Sequence, residues 1–294
     1  MDTAVLIEGK GGFPTLKIDN EYATAIISVY GAQVLSFKPK LENSGSDNAR
    51  DLLFLSDKAY FEQGKAIKGG IPLCWPWFGN DPENSGRPAH GFARNTLWSL
   101  EKTASTGKGE TQITLSLSDS EETQKLWPYA FKLTLLVTVG KTLRLSLQAS
   151  NTSKQAFTIT QALHTYFAIG DINQTRIKGL DKTRYIDKAA GRTVNVQQDG
   201  DVTVDQEVDR IYIDAPPRIT LHDDKNKRQI SIQSSGSKTT VVWNPWSEIA
   251  AKMGDLKDDG YRRFICIETA NAASDIIKVA PNELFKIDAE YTMS

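Results

Sequence analysis

The chain is poor in the residues from which metal and covalent sites are usually assembled: 294 residues hold two cysteines and three histidines. Cys74 and Cys266 sit in apolar strings, Leu-Cys-Trp-Pro-Trp and Phe-Ile-Cys-Ile-Glu. That setting reads as free, buried thiols in a reducing cytoplasm, not as a disulfide framework or a catalytic pair. His90, His164 and His222 are scattered, with neither Glu-x-x-His nor Cys-x-x-Cys spacing, so no metal site is expected. Gly-x-Gly-x-x-Gly and P-loop strings are missing too, and no cofactor is expected. No apolar run approaches the length of a membrane span, and the opening Met-Asp-Thr-Ala-Val-Leu-Ile-Glu lacks the basic start of a secretory signal. Nor is there an excess of one charge: 35 Lys plus Arg face 36 Asp plus Glu. A nucleic-acid binder that blankets phosphates is therefore excluded, while one local basic pocket for a small anion is not.

What is present is a globular composition, 39% hydrophobic and 24% charged, on a chain long enough to bury a core without disulfides. Ile113-Thr-Leu-Ser-Leu117 and Leu143-Arg-Leu-Ser-Leu-Gln-Ala149 alternate apolar and polar residues, the period of a half-buried strand. Similar runs cover residues 22–29, 131–139, 155–163, 228–233, 239–243 and 264–269. Turn chemistry separates them, at 9–12, 42–45, 106–109 and 199–200. Helix is scarce. One short candidate is Ser118–Trp127, with a Ser-x-x-Glu start and Pro128 as its stop; another lies around 247–253. The polar stretch 186–209 reads as a long excursion between strands. No internal repeat, low-complexity tract or linker divides the chain. The expectation is one all-β domain spanning 1–294, a large antiparallel β-sandwich with one or two short helices.

Three places can carry chemistry. On strand period His164 shares a face with Thr158, Thr160, Ala162 and Tyr166, a small and polar surface that leaves room for a ligand. It equally suits a histidine that only ties the sheet to a loop. Glu268 shares a face with Phe264 and Cys266, and a carboxylate on so apolar a strand is expensive to bury unless something uses it. The plainer reading is that the strand ends there and Glu268 meets solvent. Residues 68–98 form the densest cluster. Trp75, Trp77 and Phe78 offer flat apolar surface for a sugar ring, His90 and Arg94 offer donors, and Arg94 with Lys68 can hold an anionic substituent. Alternatively, the aromatics form a small core that pins the loop.

Several strings in register resemble a known family. These are Lys-Gly-Gly-Ile-Pro-Leu-Cys-Trp-Pro-Trp-Phe-Gly from 68, His-Gly-Phe-Ala-Arg-Asn from 90, and Leu-His-Thr-Tyr-Phe from 163. Val-Asp-Arg-Ile-Tyr from 208, Val-Val-Trp-Asn-Pro-Trp from 241 and Cys-Ile-Glu-Thr-Ala from 266 continue the match. Together they resemble the glucose-6-phosphate 1-epimerases, hexose-6-phosphate mutarotases of the aldose 1-epimerase superfamily, over roughly residues 20 to 290. The resemblance implies a large antiparallel β-sandwich and a small sugar phosphate as partner. It also implies His164 as general acid at the ring oxygen and Glu268 as general base at the C1 hydroxyl. Arg94 and Lys68 become the phosphate and substrate clamp, Asp209 a hydroxyl-binding carboxylate, and His90 a neighbour of the sugar. Two positions depart from the family pattern. Lys68 stands where members often carry Arg, a point charge for a fork, and Ala89 stands where some place a polar side chain. A monomer is expected.

Two other classes fit parts of this pattern. A carbohydrate-binding or sensing sandwich needs the aromatics but not an acid–base pair, and fold alone does not separate it from an enzyme. A mutarotase for unphosphorylated aldoses shares the pair but not the clamp. A glycoside hydrolase needs two carboxylates across the bond, and only one well-placed candidate is present.

Overall fold

The computed structural model describes residues 4–40 and 50–294, with the backbone alone at 192–195; the turn expected at 42–45 lies outside the described residues. Among the described residues, β-structure dominates and the named strands pair antiparallel. Two eight-stranded sheets form the body. The first runs, in spatial order, through Arg192–Gln197, Arg184–Asp187, Val208–Ile213, Thr239–Asn244, Phe264–Asn271, Gln161–Leu163 and Leu73–Cys74, with Tyr166–Ala168 also paired to Phe264–Asn271. The second runs through Thr175–Lys178, Arg218–Asp223, Arg228–Ser235, Leu284–Met293, Leu143–Asn151, Phe131–Val139, Thr111–Ser118 and Ser99–Ser105. A four-stranded sheet from Ala4–Glu8 to Gln33–Pro39 and a two-stranded ladder of Phe157–Ile159 with Ile277–Val279 complete it.

Alternation dictates how the sheets stack. Along Leu143–Asn151, Leu143, Leu145, Leu147 and Ala149 are buried while Arg144, Ser146 and Gln148 between them are half-buried. The inward set meets Ile265, Ile267 and Phe167 of the first sheet in one continuous core. Two hydroxyl pairs stitch the seam: Thr165 Oγ1 with Tyr291 OH at 2.7 Å, and Ser234 Oγ with Thr269 Oγ1 at 2.8 Å.

Phe264–Asn271 is the pivotal strand, since all eight of its residues are buried. Its odd-numbered side chains face the second sheet. Its even-numbered ones (Phe264, Cys266, Glu268, Ala270) face away, toward the loop from 68 to 98. The strand therefore continues past Glu268, and the reading in which it ends there is excluded.

Other sequence expectations need adjusting. The first helix is Glu121–Leu126, capped by Ser120 in a reciprocal box with Thr123, whereas Ser118 still belongs to the preceding strand. The second helix is Trp246–Ala250. Residues 186–209 are not an excursion. They contain most of the hairpin of Arg184–Asp187 with Arg192–Gln197, at one end of the first sheet, whose polar residues hide its strand period. Among the described residues, no helix is long and apolar enough to cross a membrane.

Candidate active site

The six residues singled out in the sequence line one cleft. Lys68, His90, Arg94, His164, Asp209 and Glu268 surround a cavity of about 250 Å³, joined by Phe78, Tyr166, Lys188, Val241, Trp243 and Met253. Larger depressions exist, one of about 680 Å³ beside Lys238 and Asp275, but that one is lined by no histidine. Chemistry, not size, marks the site.

Sheet register brings the central pair together. Leu163 lies opposite Thr269 and Tyr166 opposite Cys266, so His164 falls directly opposite Glu268 although the ladder is interrupted there. Side chains directly opposite on adjacent strands are within contact distance. His164 Nε2 and Glu268 Oε1 lie 3.4 Å apart. The imidazole is held in place by stacking on Tyr166, with centroids 5.0 Å apart, and by the edge of Trp243 at 6.0 Å. Both residues are nearly inaccessible, 7% exposed for His164 and 1% for Glu268. His164 Nδ1 and Glu268 Oε2 are buried without a hydrogen-bond partner. Buried polar atoms in that state are uncommon.

The electrostatics follow from that burial. Desolvation first, then the negative charge of Asp209, pushes the Glu268 carboxyl well above the ordinary carboxylate range, with Lys188 and Arg94 opposing. Desolvation also drives His164 well below the ordinary histidine range, helped by His90, Arg94 and Lys68. Burial pushes the thiol of Cys74 up to about 12, and that of Cys266 also rises, so neither is a ready nucleophile.

The clamp side is built from the glycine-rich loop. His90 adopts φ +63°, and its Nδ1 accepts from Gly79 N–H at 3.3 Å. That bond leaves Nε2 to carry the proton of the neutral ring and fixes a donor tautomer. Burial and the nearby Arg94, Lys188 and Lys68 hold its pKa down at about 3. Arg94 donates through Nη2 to the carbonyl of Ala89 at 2.9 Å, while its Nε is buried and unpartnered. At Ala89, then, it is the backbone carbonyl that meets Arg94. Lys68 stands 3.5 Å from Asp255 Oδ2 and over the face of Trp243. Asp209 pairs with Lys188 at 3.1 Å.

One expectation is corrected. Trp75 and Trp77 offer no sugar platform, because both are buried, Trp75 against Phe92, Trp127 and Phe131, and Trp77 against Phe92. The aromatic walls are instead Phe78, Tyr166 and Trp243. His222 lies on Arg218–Asp223 of the other sheet and takes no part. The sequence reading missed Lys188 and Met253. Lys188 sits at the tip of the polar edge hairpin, where no burial pattern signals it. Among the described residues, no group of three or more His, Cys, Asp or Glu is placed to share a metal ion.

A β-sandwich whose broad sheet carries an imidazole–carboxylate pair in a donor-rich cleft defines a class of sugar-ring proteins, and this chain belongs to it: it is a member of the aldose 1-epimerase family, whose profile matches residues 14–292. Particular relatives sharpen that placement. The chain is 39% identical over 256 residues to an Escherichia coli protein named "Putative glucose-6-phosphate 1-epimerase", covering 87% of this chain and 82% of that one. A Salmonella typhimurium protein of the same name is 37% identical, with 87% and 83% covered. The crystal structure of a "putative mutarotase" from Salmonella typhimurium superposes with a TM-score of 0.87 at 32% identity, covering 99% of this chain and 97% of that one.

Proposed function

We propose that this protein is a hexose-6-phosphate mutarotase, interconverting the α and β anomers of glucose 6-phosphate and related aldohexose 6-phosphates without a cofactor. The observation that carries this reading is the His164–Glu268 pair, in contact at 3.4 Å on the wall of a cleft that also holds Lys68, His90, Arg94 and Asp209. The names of the Escherichia coli and Salmonella relatives support the choice of substrate. We read the chain as one mutarotase-like domain acting as a cytoplasmic monomer, in keeping with its two free, buried thiols.

Anomer exchange requires the hemiacetal ring to open, C1 to rotate about C1–C2, and the ring to close on the opposite face. In the opening step Glu268 takes the proton of the C1 hydroxyl while His164 delivers one to O5. The C1–O5 bond breaks, leaving an aldehyde at C1 and a free hydroxyl at C5. Closure reverses the transfers: His164 removes the O5 proton, O5 attacks C1, and Glu268 returns a proton to the carbonyl oxygen. O1 and O5 are bonded to the same carbon, so the groups that serve them must stand close together, as these two do. A doubly protonated pair lacks a base, and a doubly deprotonated pair lacks an acid. The pair needs one proton, wherever it rests.

Arg94 and Lys68 are assigned to the phosphoryl group, Asp209 to a ring hydroxyl and His90 Nε2–H to a sugar oxygen. Phe78 and Trp243 bound the ring's apolar faces. NMR exchange spectroscopy on glucose 6-phosphate at anomeric equilibrium tests the reading. Wild-type protein is expected to accelerate α/β exchange, and Glu268→Gln and His164→Ala each to lower kcat by roughly 10²–10⁴-fold. Folded variants with wild-type turnover would remove the pair from the chemistry and leave a binding protein.

A further inference from the structure

We infer that Lys188, at the tip of the edge hairpin, is a substrate-discriminating counter-ion: it neutralises Asp209 in the empty cleft and turns to the phosphoryl group when a phosphorylated sugar enters, freeing Asp209 for a hydroxyl. The inference rests on the proposed sugar-phosphate substrate and adds a residue and a mechanism of selection to it.

The sheet itself is the ruler. Cys266, Trp243 and Asp209 lie side by side on three adjacent strands, and Glu268 is two residues along from Cys266 on its strand. Two inter-strand steps amount to about 10 Å. A sugar with C1 at His164 and Glu268 and its far end lying across Trp243 would reach Asp209. Lys188 stands just beyond, on the next strand's turn.

The turn is built to hold a lysine there. Lys188 N–H donates to Asp209 O at 2.8 Å, and Asp187 Oδ1 accepts from Ala190 N–H at 3.1 Å, closing the tip. The other cations have less freedom. Lys68 is enclosed between Asp255, Met253 and Trp243 with its side chain 17% exposed, and Arg94 is tied to Ala89. The Lys188 side chain is 46% exposed and, among the described residues, its ion pair is with a group inside the cleft. An exposed pair is worth little, so exchanging Asp209 for a doubly charged phosphoryl group costs little and gains a stronger partner. A neutral sugar offers Lys188 no such exchange, and Asp209 stays masked. The charge of Lys188 already reaches the centre, where it counters the rise in the Glu268 pKa.

The experiment compares wild type, Lys188→Met and Lys188→Arg by NMR exchange on glucose 6-phosphate and glucose, at low and raised salt, with inorganic phosphate as competitor. Lys188→Met is expected to raise KM for glucose 6-phosphate at least ten-fold, with a smaller change in kcat. It should weaken inhibition by phosphate by a similar factor and flatten the salt dependence of KM. Lys188→Arg should recover most of each loss. Unchanged KM and phosphate inhibition in Lys188→Met, or an equal loss on both sugars without rescue by arginine, overturns the role of Lys188 while leaving the mutarotase reading intact. A wild-type protein that does not accelerate glucose 6-phosphate exchange overturns both.

Discussion

At the scale of single residues, Glu268 and His164 are held at odds with their ordinary ionisation. Burial favours the neutral form of each, raising one pKa and lowering the other. A neutral acid beside a neutral base and a carboxylate beside an imidazolium contain the same single proton, so the pair titrates as a unit. Protonation of the second site removes the base. Because the histidine is depressed, this loss falls below the ordinary histidine value of 6.5. Departure of the last proton removes the acid, and because the glutamate is raised, it falls above the ordinary carboxylate value of 4.5. We expect kcat/KM for glucose 6-phosphate to follow a bell with limbs displaced in these senses, and Glu268→Gln to abolish the profile along with the rate. A monotonic profile with a midpoint near 6.5 would show an unperturbed histidine acting alone.

At the scale of elements, the loop from 68 to 98 is fixed by backbone that only glycine tolerates. Gly91 has φ +70°, and a Cβ added there would stand 1.9 Å from Trp75 O. Gly70, at φ +61°, would meet Val34 O at 2.2 Å. Gly91→Ala must therefore displace the segment that sets His90 and Arg94, at a cost of more than about 2 kcal/mol. The measurement is the urea midpoint together with kcat/KM, both of which should fall. Wild-type values for both would mean the loop repacks freely. Elements also divide what the sequence reveals from what it hides. Central strands such as 131–139 and 143–149 were legible because one face is packed and the other half-wet. The hairpin of Arg184–Asp187 with Arg192–Gln197, at one end of the first sheet, was not, since its sequence is too polar to show the strand period. The six cleft residues were found through motif and chemistry. The pairing of His164 with Glu268 depends on register, and the position of Lys188 on a hairpin, and neither is written in local composition. Trp75 and Trp77 misled because a sugar platform and a buried aromatic cluster use the same side chains.

At the scale of the whole molecule, a buried ion pair within the second sheet holds the arginine that reaches across to the first. Asp223 is fully buried, with Oδ2 bound by Arg228 Nε at 3.0 Å and Asn226 Nδ2 at 2.7 Å. The guanidinium of Arg228, on the second sheet, also donates to Asp51 O at 3.1 Å and to Ala168 O on the first. Arg228→Met strands a buried carboxylate, a loss expected to cost about 3–5 kcal/mol. Thermal unfolding should record it as a lower Tm, with KM for glucose 6-phosphate unchanged in the remaining folded fraction. An unaltered Tm would make the pair dispensable. The same scale gives meaning to Phe264–Asn271, walled in on both sides along its full length. Segments so enclosed open only when the entire protein does. The proton-handling carboxylate thus shares the fate of the scaffold itself: there is no half-working form, and a measured turnover counts the intact molecules in a sample.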